Sequence, residues 1–290
     1  MHIGRRTLYN NQTARFDHAS PLDNDALRAI APSIFAVAAH GSRSERFQPI
    51  PTINVIEGLR KENFFPVAVR QQHVRDKTRL DYTKHSIRLR RLGDERQYRV
   101  GDNVVEIILQ NANDGSSCYQ LYAGLFRIAC LNSLVTQTGD IDEIKVKHTG
   151  RDIVGEVIEG TYRVVETAKA ALNAPDSWGC TKLPVEARVA LADAAHVLRF
   201  EDRAETCGIP STALLTARRA ADHGDDLWRT FNRVQENVIR GGIHGEAKDK
   251  TGHRRRTTMR TITGIDQDTK LNRALWMVGE QLFQTLKHAA

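Results

Sequence analysis

The sequence predicts an α+β fold, with a small antiparallel β-meander, a helix packed across it, and a helical C-terminal half. Two patterns carry that prediction. Apolar residues recur with a period of two between about 64 and 109 and with three-four spacing after about Val154. Strands grouped first and helices grouped afterwards imply α+β rather than an alternating α/β order. A chain of 290 residues is long enough to bury a sizeable core in one large or two modest domains.

Taken in order, residues 1–45 read as an N-terminal arm and a short helix around Leu27, Ile30, Ile34 and Val37, stopped by Gly41. After the linker "SRSERFQPIPT", the segment "INVIEGLRKEN" reads as a helix with Thr52 as its N-cap. "FFPVAVRQQHV" places Phe65, Val67 and Val69 on one side of a strand. "KHSIRLRRL" alternates Ile87 and Leu89 with Lys84, Ser86, Arg88 and Arg90, which gives an apolar face and a cationic one. "NVVEIILQ" groups Val105, Ile107 and Leu109, and a turn at Asn113, Asp114 and Gly115 leads to a predicted helix from about Ser117 to 135, burying Leu121, Leu125, Ile128 and Ala129. Residues 46–150 therefore read as a β-β-β-α core. Residues 151–290 read as a helical region with a basic loop at 241–264. The helical segments expected there are "EVIEGTYRVVETAKAAL", "PVEARVALADAAHVLRFEDRAE", "PSTALLTARRAA", "DDLWRTFNRVQENVIR" and "DQDTKLNRALWMVGEQLFQTLKH".

Lys plus Arg is 42 and Asp plus Glu 35, a formal charge of +7 with pI near 9.4, which favours a polyanionic partner. No stretch approaches the roughly 18 apolar residues of a membrane span, and no leader pattern opens the chain, so a cytoplasmic protein is expected. Cys118, Cys130, Cys180 and Cys207 are too scattered for a zinc site and read as core thiols. There is no P-loop, dinucleotide fingerprint, nucleophile elbow or zincin motif, and no cofactor is expected.

Three cationic surfaces remain. Lys84, Arg88 and Arg90 share a strand face, with Arg70 on a neighbouring strand and Arg127 on the helix expected beside them. In the helix that contains "FNRVQENVIRGG", Leu227, Trp228, Phe231, Val234 and Val238 mark a core stripe, which leaves Arg229, Asn232, Arg233, Gln235, Glu236, Asn237 and Arg240 elsewhere on the helix, as a solvated face or as partners for phosphate, sugar or backbone. The loop that follows adds Arg254, Arg255, Arg256 and Arg260. Asp266 and Asp268 could hold Mg²⁺ but read more economically as helix caps and dipole partners.

"LWRTFNRVQENVIRGG", "RRRTTMRTITGIDQDTKLNRALW" and "YQLYAGLFRIACLNSLV" resemble the phage and plasmid-like family known as domain of unknown function 932, from about Arg46 to the end, which implies carriage on mobile elements. Residues 53–135, as a short helix, strands with a cationic hairpin and a crossing helix, also resemble the core of the single-strand annealing superfamily of phage Red-beta. That likeness implies a positive groove and assembly into rings or filaments. The expectation is a non-enzymatic, homo-oligomeric protein that binds single-stranded DNA and anneals it in plasmid or phage recombination. Two other readings stay open: a Mg²⁺-dependent nuclease using Asp266 and Asp268, and a protein-interaction module.

Overall fold

This computed structural model describes residues 13–15, 21–38, 41, 51–92, 103–127, 134–135, 144–148, 152–248 and 251–289. The chain divides into two compact units, one formed by residues 1–130 and 138–171, the other by 131–137 and 172–290. The fold is α+β, with an antiparallel sheet in the first unit and a largely helical C-terminal half.

In the first unit, strands β1 (Thr13–Arg15), β2 (Phe64–Gln71), β3 (His85–Arg91), β4 (Asn103–Asn111) and β5 (Tyr119–Arg127) pair antiparallel in chain order. A two-residue strand β6 (Leu134–Val135) follows in the chain, and β7 (Ile144–Val146) pairs with β5 through Tyr119–Leu121. Helices α1 (Asn24–Ile30), α2 (Thr52–Lys61) and α3 (Ile153–Lys169) bring Leu27, Val55, Ile56, Leu59, Ile153 and Val157 into one core with Ile87, Leu89, Ile107, Leu109 and Leu121 from the sheet. Each of these side chains contributes about 1.5–3 kcal/mol by leaving water. Gly160 lets α3 lie close on β5, since a Cβ there would stand 2.8 Å from Leu121 Cδ1.

The predicted face of β3 is observed, but three local expectations are corrected. Residues 119–127 form strand β5, not a helix, so the crossing element is α3 and the order is not β-β-β-α. Leu121, Ala123 and Leu125 face the core, while Tyr122 and Phe126 on the other face are buried too. A strand apolar on both faces imitates a helical stripe. In β2, the register shifts between Pro66 and Ala68, so that Phe64 rather than Phe65 enters the core. Thr52 opens α2 with no side-chain capping bond, and its hydroxyl points inward.

That hydroxyl belongs to a polar row at one end of the apolar face. Gln71, His85 and Asn111 stand side by side across β2, β3 and β4 and are all buried. Gln71 Nε2 donates to the Leu80 carbonyl, which turns its Oε1 towards Ser33, whose N–H and hydroxyl both donate to it at 3.2 and 2.8 Å. The remaining directions follow from this one. His85 Nδ1 donates to Ser33 Oγ at 2.8 Å, Thr52 Oγ1 donates to His85 Nε2 at 2.9 Å, and Asn111 Nδ2 donates to Thr52 at 3.0 Å. His148 Nε2 then donates to Asn111 Oδ1 at 2.8 Å, and its ring lies 5.0 Å from that of Tyr119. Burial, helped by repulsion from His148 and opposed by a bond to the Thr83 backbone, pushes the His85 imidazole down to about 3. Burial also raises the Tyr119 hydroxyl to about 12.

In the second unit, α4 (Ala174–Gly179), α5 (Val185–Phe200), α6 (Leu227–Arg240) and α7 (Ile265–Ala289) surround an aromatic core. Trp178 stacks on Trp276 at 4.8 Å and meets Phe231 edge-on at 5.2 Å, worth about 0.5–1.5 kcal/mol per pair beyond area. The segment "PSTALLTARRAA" forms only the short turns Ser211–Leu215 and Ala220–Asp222, and the Leu214 and Thr216 carbonyls are taken by Asn237 rather than by a helical ladder. Cys118 and Cys207 are half-buried and Cys180 is exposed, so the core-thiol expectation fails for Cys180. Cys130 lies outside the described residues.

The polar row sets a pH dependence. Unfolded, His85 binds a proton near 6.5; folded, only near 3. Stability from this residue is therefore complete above pH 6.5 and declines as pH falls towards 3, by on the order of 5 kcal/mol in all. Urea midpoints between pH 6.5 and roughly pH 5, above most carboxylate titration, should fall in the parent and stay level in His85→Gln. Parallel curves would show that His85 is not the titrating group.

Candidate nucleic-acid interface

The cationic face of β3 is built from alternation, with Ile87 and Leu89 turned to the core and Arg88 and Arg90 to the opposite side. There they do not stand free. Glu106 on β4 lies between them and is 1% exposed. Arg88 Nε reaches its Oε2 at 2.5 Å, and Arg90 reaches Oε1 through Nε at 3.0 Å and Nη2 at 2.5 Å. The Arg88 guanidinium also lies 3.5 Å over the Phe126 ring, and that ring fills the space above Gly124, where a Cβ would be 2.3 Å from Phe126 Cε2. Arg88 and Arg90 thus clasp a buried carboxylate. Lys84 is 7% exposed, and its carbonyl accepts from Gln72 N–H. Arg70 sits half-buried opposite Ser86. Arg127 ends a strand, paired with Asn103, and its side chain lies outside the described residues.

Helix α6 is likewise interior. Asp226 caps it by accepting from Arg229 N–H at 2.8 Å, and Gly241 ends it at φ 63°. Of the face read as solvated or ligand-binding, Asn232, Arg233, Gln235, Glu236 and Asn237 are buried, Arg240 is half-buried and Arg229 is exposed. Asn237 Nδ2 donates to the carbonyls of Leu214 and Thr216, both at 2.8 Å, and Gln235 donates to Asn272 at 2.7 Å. Asn272 in turn donates to the Asp268 carboxylate at 2.8 Å, which ties the first turn of α7 to α6. Arg233, 7% exposed, donates to the carbonyls of Asp222 and Gly224 and to Thr230. Its visible bonds are internal ones. Glu236, 2% exposed at its side chain, binds Arg219 and Arg240. Despite burial, which pushes the other way, those two arginines hold its carboxyl below the usual range. Asp266 and Asp268 lie in the first turn of α7, and among the described residues no three His, Cys, Asp or Glu side chains gather for a metal.

The segment read as a loop is a hairpin, β8 (His244–Lys248) paired with β9 (Arg254–Thr258). Its root is fixed backbone to backbone. Glu246 N–H donates to the Gly208 carbonyl at 2.8 Å, and a Cβ on Gly208, whose φ is 72°, would stand 2.2 Å from Glu246 O. Gly242 N–H and Met259 N–H close the neck on Met259 and Ile243 carbonyls at 2.7 and 2.8 Å. Beyond the root the side chains are exposed. Lys248 faces Arg254, Glu246 faces Arg256 and Ala247 faces Arg255. The Arg254–Glu246 pair is 3.4 Å apart with side chains 80% and 66% exposed, so water screens it almost completely. Arg260 is exposed just past β9, its carbonyl held by Arg199 at 2.6 Å.

Gly241, Gly242 and Gly252 favour a loose loop in the sequence, and "RRRTT" holds no apolar residue to alternate, so the second strand of the ribbon carries no period-two signal.

The model of the family described as domain of unknown function (DUF932) matches residues 39–276. The chain belongs to this family. It is 41% identical over 267 residues to the UPF0380 protein YafZ of Escherichia coli strain K12, covering 92% of this chain and 93% of that one. It has the same identity and coverage to the UPF0380 protein YfjQ of the same strain. No solved structure matches the chain. Among the described residues no helix is long and apolar enough to cross a membrane.

The Glu106 clasp has a measurable consequence. Glu106→Gln leaves two guanidinium groups without their buried counter-charge and is expected to cost about 3–5 kcal/mol. Chemical denaturation monitored by circular dichroism measures it, and a loss below about 1 kcal/mol would mean that other groups neutralise this face.

Proposed function

We propose that this DUF932 protein binds nucleic acid, with single-stranded DNA as the substrate and strand annealing in plasmid or phage recombination as the process, and that the β8–β9 hairpin makes the main contact. The supporting observation is the ribbon's charge arrangement. Lys248 and Arg254 are directly opposed, a like-charge pair that weakens a two-stranded ladder and that an external anion would relieve. Arg254 and Arg256 share a face two residues apart, about 6.6 Å along a strand, a spacing comparable with successive phosphates of an extended single strand. Arg255 faces the other way and Arg260 extends the track from the base.

On this reading the phosphates are held by Arg254, Arg255, Arg256, Arg260 and Lys248, and affinity comes from counterion release rather than base stacking. Arg233 stabilises the unit that carries the ribbon, and Arg88 and Arg90 stabilise the other. The protein acts without chemistry of its own, and a homo-oligomer would align several ribbons along one strand, which is what annealing requires.

The test is titration of labelled single-stranded and duplex DNA over a range of salt concentrations, with and without Mg²⁺. Arg254→Ala with Arg256→Ala is expected to lower affinity for single strands and to reduce the log-log salt slope by about 1.4 units, about 0.7 per lost phosphate contact, with the melting curve unchanged. Unaltered binding by the folded double variant would remove the hairpin from the proposal. Mg²⁺-stimulated cleavage lost in Asp266→Asn or Asp268→Asn would instead make the protein a nuclease.

A further inference from the structure

The foot of the hairpin holds a second concentration of positive charge, on residues that the sequence pattern did not pick out as a group. Glu236 is the carboxylate at its centre and is almost wholly buried. Arg219 grips it twice, through Nη2 at 2.9 Å and Nε at 3.1 Å, and Arg240 once, at 2.6 Å. Arg218 stands alongside, with Nε donating to Asn237 Oδ1 at 2.5 Å and Nη2 to the Gly241 carbonyl. Three guanidinium groups therefore gather round one carboxylate. Their outer parts reach solvent, with side chains 27% and 30% exposed for Arg219 and Arg240 and Arg218 exposed as a residue.

The cluster's place in the fold is as informative as its charge. Arg240 is the last residue of α6, Gly241 and Gly242 lead from it into β8, and Thr261, just past β9, donates its hydroxyl to the Arg240 carbonyl at 2.7 Å. Both ends of the ribbon thus meet the helix at these arginines. One cation would satisfy the negative end of the helix dipole. Three, each held by a fixed partner, exceed that need and form a rigid set of forked donors.

We propose that Arg218, Arg219 and Arg240 form a phosphate-binding subsite in which the nucleic-acid backbone leaving the hairpin is gripped, with Glu236 and Asn237 as the positioning residues behind them. This rests on the nucleic-acid reading of the hairpin. The chemistry is charge-assisted hydrogen bonding of guanidinium N–H groups to phosphodiester oxygens, in a site whose geometry is preset by a buried carboxylate and a buried amide. The Arg218 guanidinium is held below its ordinary value chiefly by desolvation; Glu236 opposes this, and the Arg240 charge adds to it. An anion arriving between Arg218 and Arg240 would relieve that repulsion.

The experiment uses the full chain and a fluorescein-labelled oligothymidylate at several salt concentrations, with thermal melts as a folding control. Arg218→Ala is expected to weaken binding roughly tenfold and to lower the salt slope by about 0.7 unit, in addition to the loss from the hairpin variant. A residue that only braced the fold would change affinity or melting but not the slope. Should Arg218→Ala fail to fold, Arg218→Gln serves instead; it removes the charge but keeps an amide donor, and is expected to weaken binding and to lower the salt slope by the same amount. If the hairpin variant loses affinity while the folded foot variant binds like the parent with an unchanged slope, the subsite is wrong and the hairpin reading survives. If the parent does not bind the oligonucleotide, both fall.

Discussion

Helix α6 carries Thr230, Asn232, Arg233, Gln235, Glu236 and Asn237 into the interior, and the second unit is arranged to satisfy them. Leaving a buried polar group unpaired costs about 1–3 kcal/mol, more for a charge, whereas pairing it gains about 1. The helix is therefore tolerable only if neighbouring segments bring partners to fixed positions. Asn237 fixes the backbone at Leu214 and Thr216, Arg233 fixes it at Asp222 and Gly224, and Gln235 fixes Asn272 on α7. Segments with little helical order of their own, such as 211–222, acquire a definite path because amides and guanidinium groups dictate where their carbonyls must lie. The hairpin inherits that precision, since its neck leaves α6 at Gly241 and returns at Thr261.

The first unit applies the same constraint to a sheet. The apolar face ends in a neutral row, in which one fixed amide orientation at Gln71 sets the donors and acceptors through Ser33, His85, Thr52, Asn111 and His148. The opposite face holds a charged group, Glu106 between two arginines. Neither arrangement needs an outside partner. They specify register, because sliding β3 by one residue against β4 would put His85 and Arg90 on the wrong sides of the sheet.

How much of this was legible in the sequence depended on whether one residue type had one use. Ile87, Leu89, Ile107 and Leu109 alternate cleanly, so the meander and its core face could be read directly. Leu121 to Phe126 could not, because a strand buried on both sides loses its alternation and Gly124 conceals a ring contact that only the fold creates. Arg88, Arg90 and Arg233 read as available cations because a charge reveals its sign in a sequence but not its partner. Glu106 is 18 residues from Arg88, and nothing local announces the pair. Of the DNA-binding residues expected from sequence, Arg254, Arg255, Arg256 and Arg260 are exposed. The arginines at 218 and 219 passed unnoticed in a segment read as an ordinary helix.

Exposure therefore separates two populations of arginine that are chemically identical in the sequence. One population is buried with carboxylates or carbonyls and works as structural cement. The other stands on an exposed ribbon, on which Lys248 faces Arg254 and Glu246 faces Arg256, and whose packing ends at the root. A cation that contributes to folding is drawn inward by its counter-charge, while one left facing a like charge weakens the strand pair that holds it. Keeping such an element costs stability, and the expense is intelligible when the missing counter-charge belongs to another molecule. The foot arginines lie between these extremes, each bonded to Glu236, Asn237 or the Gly241 carbonyl and still partly exposed to solvent. That is the arrangement expected where an internal scaffold hands over to an external polyanion.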